Sequence, residues 1–228
     1  MAWSISNIYL HNKEKSDCME KNIKILSAEP ASAKPSTPPS RLKITEALKV
    51  LLRDKDFNSI TTAEISRMAH VNEALIYRYF IDKRGLLHAV LSDYLQEFVA
   101  NLTFDLKGIH GAINKIQKFV WASIHYYDDD RVFSKIQLLE VRNFPGYFDS
   151  ETYQMVRKYA GLLMEIIEEG IESGDIRNDI APSSIRQLIL GAIEHCCLPA
   201  IIFDHKIDND AMADNLCEIL FHGITRKI

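Results

Sequence analysis

Cysteine is scarce in this chain and has no pattern. Cys18, Cys196, Cys197 and Cys217, among 228 residues, have the spacing of neither a disulfide framework nor a zinc site. They read as free thiols, small apolar residues in a reducing compartment. No run of about 18 uncharged apolar residues occurs, the length a helix needs to cross a bilayer, so neither a membrane span nor a membrane partner is expected. The first 18 residues lack a continuous apolar stretch, being broken by Asn7, His11 and Asn12, and the cytoplasm is the expected compartment. A Gly-rich phosphate loop, a nucleophile elbow and a His-Glu-x-x-His pair are all missing, and no catalytic pair stands out. The expectation is a protein that is not an enzyme and carries no cofactor or metal. The adjacent carboxylates of Asp128, Asp129 and Asp130 do not face one point and read as a loop capping the next helix. His195, Cys196 and Cys197 would project about 100° apart on a helix, and read as part of a core stripe. Sustained strand alternation and internal repeats are absent too, which leaves an all-α architecture.

What is there is unevenly spread. The formal net charge is −4, but residues 41–90 hold nine Lys and Arg against six Asp and Glu, whereas residues 91–228 hold 13 against 21. The first segment can approach a polyanion; the second would be repelled by one. Residues 27–40, "SAEPASAKPSTPPS", contain four prolines and read as a tail or linker, with everything before it loosely ordered. Met19 is an alternative start.

From Arg41 the pattern changes. Leu42, Ile44, Ala47, Leu48, Leu51 and Leu52 recur at helical spacing, with Lys43, Glu46, Lys49 and Arg53 pointing away. A turn at Asp56–Asn58 precedes a short helix, "TTAEISRMA", in which Thr61 and Glu64 have capping-box spacing. After His70 and Val71, Asn72 can cap a second short helix ending at Phe80, and Asp82 can cap a longer one. Two short helices around a tight corner form a helix-turn-helix, whose second helix fits the DNA major groove while the first crosses the backbone. Ile65, Ala69, Val71 and Ile76 are spaced to lock the pair together. Asn72, Glu73, Ala74, Tyr77 and Arg78 would then face outward toward base edges. Tyr77 and Tyr79 can offer hydroxyls to phosphates, Lys83 an ammonium, Arg41 a guanidinium, and the helix start at Thr61–Thr62 its free N–H groups.

The stretch "TTAEISRMAHVNEALIYRYFIDKRGLL" resembles the DNA-binding signature of tetracycline-repressor-type (TetR-family) regulators, matching it at Thr62, Ile65, Ala69, Val71, Ile76, Tyr77, Tyr79, Phe80, Lys83 and Leu86. Ser66 stands where the pattern has Ala, and His70 where it has the corner Gly, so a non-glycine residue must hold a left-handed conformation. The resemblance implies a DNA-binding domain over residues 41–98 with its motif at 61–80, and a larger helical domain over 99–228 that dimerises and binds an effector. It implies a regulator, most simply a repressor, that occupies a palindromic double-stranded operator as a homodimer and is released by a small hydrophobic effector. The alternative is a helical ligand-binding or adaptor protein without DNA binding.

Residues beyond 105 read as helices throughout. Ile185, Leu188, Ile189, Ala192, Ile193 and Cys196 line one face, and Leu216, Ile219 and Leu220 another; such faces suit a four-helix dimer interface, although burial inside one subunit accounts for the same stripes. Aromatic residues crowd the segment from Phe119 to Phe148, and Phe119, Tyr126, Phe133, Phe144 and Tyr147 with the polar His125, Glu140 and Arg142 are candidate effector contacts; the same aromatics would also suit a core. "LLEVRNFPGYF", followed by "EEGIESGDIRNDIAP", resembles the branch of the family that senses fatty acyl compounds.

Overall fold

A proline in the first turn starts α1 (Pro39–Asp54), giving up an N–H that would have had no partner in the helix. The structure, a computed structural model, describes residues 37–223, so the tail expected over residues 1–40 lies outside the described residues except at its end, where Pro39 and Ser40 already belong to α1. Ile44, Ala47, Leu48, Leu51 and Leu52 of the expected stripe are buried, whereas Leu42 is exposed. A 3₁₀ turn at Phe57–Ser59 leads to α2 (Thr62–Ala69), α3 (Ala74–Phe80) and α4 (Lys83–Leu106).

The expected caps form. The Thr61 hydroxyl accepts the Glu64 N–H at 3.1 Å, Asn72 Oδ1 accepts the Ala74 N–H at 2.8 Å, and Asp82 Oδ1 accepts the Gly85 N–H at 2.7 Å. His70 closes α2 in the left-handed region at φ 53°, its N–H on the carbonyls of Arg67 and Ser66. Gly85 has a different constraint: a Cβ there would lie 2.0 Å from the Phe80 carbonyl oxygen, so the α3–α4 corner closes only around a glycine.

α4 runs unbroken through residue 98, the sequence-based domain boundary, and serves two cores. The first surrounds α1–α3 and the start of α4, with Leu48, Phe57, Ile65, Ile76 and Leu87 at its centre. The second gathers the rest of α4 with α5 (Ala112–Asp129), α7 (Glu151–Ser173), α8 (Pro182–Phe203) and α9 (Asn209–His222) around Leu102, Phe119, Ile124, Leu163, Ile167 and Ile193. α5 packs against α7, α8 and α9, and α4 against α7. Between α5 and α7 the expected long helices give way to a five-residue α6 (Arg131–Lys135), a π turn at Ile136–Glu140 and two 3₁₀ turns. Phe133, Ile136, Val141 and Tyr147 from this stretch fill the first core, so the aromatic-rich segment ties head to body.

Candidate functional site: a nucleic-acid interface, an aromatic groove and a bare helix face

The α2–α3 pair presents a polar outer surface on an apolar lock. Ile65 and Ile76 are wholly buried, Ala69 nearly so, and Val71 is half-buried beside them. Asn72, Ala74, Tyr77 and Arg78 are exposed and Glu73 half-buried, along the start and outer side of α3. Among the described residues Arg78 has no hydrogen-bond or ion-pair partner. The Tyr77 hydroxyl lies 3.4 Å from the Thr62 hydroxyl, so these two side chains from α2 and α3 come together at the surface. Half-buried Tyr79 differs: its hydroxyl is 3.0 Å from the Ser40 hydroxyl, tying α3 to the first turn of α1. Arg41 places its guanidinium 5.1 Å from the centre of the Phe80 ring.

Lys83 departs from expectation. Its ammonium donates to the carbonyls of Phe57 at 2.8 Å and Ile60 at 2.6 Å and sits 4.4 Å from the centre of the Phe57 ring. Burial, with repulsion from Arg84 second, holds it below the usual lysine range. The side chain turns inward to the end of the 3₁₀ turn, where the Phe57 carbonyl also accepts the Ile60 N–H at 3.3 Å and the Ile60 carbonyl lies beyond the turn's own hydrogen bonds. A free ammonium for phosphate is not present here. Sequence reasoning missed Ser40, Phe57, Ile60 and Gly85, because none belongs to the DNA-facing pattern; they act by holding it.

The expected effector residues scatter. Phe119 is buried and stacked on Tyr159 at 4.7 Å, and Phe133 and Tyr147 are buried in the first core, which Phe144 also packs against. Arg142 donates twice to the Glu194 carboxylate on α8, at 2.6 and 3.0 Å, and Glu140 is half-buried with its carboxyl pushed up by burial first and by Asp56 second. These residues make core and struts; they line no common cavity, because aromatic side chains close in sequence diverge once the segment breaks into short turns. His125 and Tyr126 border an open groove of about 480 Å³ between α4 and α5, whereas Phe144 borders a separate cavity beside Tyr79 and His88. The groove's other walls are Tyr94, Phe98, Leu102, Trp121 and Ala122, and its polar lining is Glu97, Asn101, Asp105, Lys118 and Asp129. The α4 half escaped sequence reasoning, although Tyr94, Phe98 and Leu102 recur at four-residue steps beside Glu97, Asn101 and Asp105.

The α8 and α9 stripes divide as well. Ile189, Ile193 and Leu216 are buried in the subunit's own core, contrary to an interface role, while Leu188 at 64% exposure and Ile219 at 51% stand outside, with Ile185, Ala192, Cys196 and Leu220 half-buried. Phe203, at the far end of α8, is 66% exposed as well. Periodicity could not separate the faces because α8 is apolar on most sides: among the described residues it is the one helix long and apolar enough to cross a membrane, with a mean hydropathy of 1.4, yet only 33% of that span is buried. Arg186 and Glu194 interrupt it, Glu194 being held by Arg142. A methyl group on Gly191 would meet no neighbouring atom within 4 Å, so that glycine serves no close approach within the subunit.

A helix-turn-helix head on a larger helical body defines a class of one-chain transcriptional regulators. Residues 44–90 match bacterial regulatory proteins of the tetR family, and residues 91–223 match the YsiA-like protein C-terminal region. The chain belongs to this family and is a helix-turn-helix transcriptional regulator. It is 23% identical over 189 residues to the fatty acid metabolism regulator protein of Bacillus subtilis, covering 83% of this chain and 97% of that one. The fold resembles that of the transcriptional regulator FadR from Bacillus subtilis, solved in complex with stearoyl-CoA, with a TM-score of 0.73 at 23% identity over 81% of this chain and 99% of that one. It also resembles the fatty acid degradation regulator FadR from Bacillus halodurans, with a TM-score of 0.75 at 20% identity over 85% and 100% of the two chains.

Proposed function

We propose that this chain represses transcription as a homodimer on a two-fold-symmetric operator and is released by a small hydrophobic effector held in its helical body. The observation carrying the reading is the outer face of α3, where Asn72, Ala74, Tyr77 and Arg78 stand exposed on a helix whose other side is locked in the core. Asn72, Ala74 and Arg78 are the base-reading residues, with Glu73 beside them; Thr61, Thr62, Tyr77 and Arg41 meet the backbone. The domains follow residues 41–98 and 99–228, joined by α4. Leu188, Phe203 and Ile219 lie on the pairing face, because two recognition helices are needed to read enough bases for specificity. That a relative of the same fold binds stearoyl-CoA supports a fatty acyl compound as the effector. An effector that changes the separation of the two recognition helices would shift operator affinity by about tenfold to a hundredfold.

Selection of fragments from the source genome by the purified protein, followed by anisotropy titrations at increasing salt, tests this reading. The expected result is a palindromic site whose affinity falls by about 10³ between 50 and 200 mM salt and falls again on addition of stearoyl-CoA. Binding that is absent or indifferent to salt would instead favour an adaptor without DNA binding.

A further inference from the structure

The groove between α4 and α5 has a charge at odds with a polyanionic ligand. Three carboxylates line it, Glu97, Asp105 and Asp129, and one lysine, Lys118. Lys118 is already engaged: its Nζ lies 2.9 Å from Asp105 and 4.6 Å from the centre of the Trp121 ring. Neither Glu97 nor Asp129 has a hydrogen-bond or ion-pair partner among the described residues. The phosphates of a coenzyme A thioester would find no free lysine or arginine in this groove; its one imidazole, His125, lies 3.9 Å from the Asp210 carboxylate. The Tyr94 phenol registers the same field: burial first, then the carboxylates of Asp130 and Asp129 and, more weakly, Glu97, push it well above the usual range, with Arg53 opposing.

The walls, by contrast, are aromatic. Phe98 stacks on Tyr126 at 4.3 Å, Tyr94 lies 5.0 Å from the same ring, and Trp121 stands on the α5 side. Aromatic faces attract an ammonium through their quadrupole, and a carboxylate nearby adds to the attraction. Lys118 shows the pattern within the chain itself, its ammonium set over the indole of Trp121 with Asp105 as counterion. A cavity of about 480 Å³ falls in the usual range for a drug-sized molecule.

We infer that the α4–α5 groove binds an organic monocation with an apolar body, its charged head between Glu97 and Asp129 and its body against Tyr94, Phe98, Tyr126 and Trp121. The site differs in charge class from an acyl-CoA site, and its occupancy does not depend on the operator reading. It lies beside the helix that joins the two cores, where a bound ligand can bias the head.

Calorimetric titration of the full chain, without DNA, with decyltrimethylammonium and decanoate below their micellar concentrations and decanol below its solubility limit isolates the sign of the charge. The ammonium is expected to bind at least tenfold more tightly than decanol, and decanoate more weakly than either. Glu97→Gln and Asp129→Asn, both at exposed positions, should each weaken the ammonium by about tenfold and leave decanol unchanged. Equal affinity for the three probes, or variants that do not discriminate, would overturn the assignment. Because no DNA is present, failure of the operator reading would leave this result untouched, and failure here would leave the operator titrations untouched.

Discussion

The Lys83 ammonium donates to the Ile60 carbonyl at 2.6 Å, across the junction between the start of α4 and the turn that launches α2. With the second bond to Phe57 it pins that turn, and so sets where the N-terminus of α2 stands relative to α3.

Replacing Lys83 with Met should therefore act through stability. A loss of about 1 kcal/mol is expected, chiefly from the Ile60 carbonyl left without its donor, since the Phe57 carbonyl keeps the Ile60 N–H, measured by urea denaturation. The salt dependence of DNA binding should keep its slope. Arg78→Ala should do the opposite, leaving stability intact while lowering affinity and changing the preferred bases; a slope that falls by about one for Lys83→Met would mean that the ammonium reaches a phosphate after all.

At the corner, His70 holds a conformation that costs a side-chain-bearing residue about 1 kcal/mol. His70→Gly should raise the thermal midpoint slightly or leave it unchanged, since relief of strain is offset by a freer unfolded chain. His70→Val should lower it clearly, because a branched side chain tolerates the left-handed region worst. Scanning calorimetry on the two variants distinguishes these outcomes.

His88 joins the head to α7: its Nδ1 lies 3.0 Å from the Thr152 hydroxyl, which in turn donates to the His88 carbonyl at 3.1 Å. Burial, the larger cause, holds its pKa below 6.5, with Asp82 and Glu151 opposing. As pH falls through 6.5 the unfolded chain takes up the proton first, so stability declines with acidification and levels off below the folded-state pKa. His88→Gln should flatten that part of the stability profile, read from denaturant midpoints between about pH 7.5 and 5.

On the bare face of α8, Leu188→Asp places a charge where a second subunit is proposed to pack. Sedimentation should show a shift toward monomer, with loss of operator binding but unchanged helicity. A wild-type protein that sediments as a monomer at micromolar concentration would reject the pairing face.

Much of the head was legible because its signals are local. Thr61, Asn72 and Asp82 cap helices within three residues of themselves, and the left-handed turn at His70 follows from the glycine position it occupies in the motif. The body was less legible. Phe133 and Tyr147 looked like pocket residues beside Phe119 and Tyr126, yet they fill the other core. Half of the groove, from Tyr94 to Asp105, lies on a helix that serves two cores in turn, so no single apolar stripe along it marks one face.

The amino-acid sequence alone determined that this protein is all helical, where the DNA-reading corner falls and which α3 residues stand outside it, since caps and helical periodicity act between residues a few positions apart. Only the tertiary structure decided where the Lys83 ammonium points, which face of α8 is left bare and which aromatics share a cavity. Each of those depends on contacts between residues tens of positions apart, and a side chain's partner is set by the packing that brings them together.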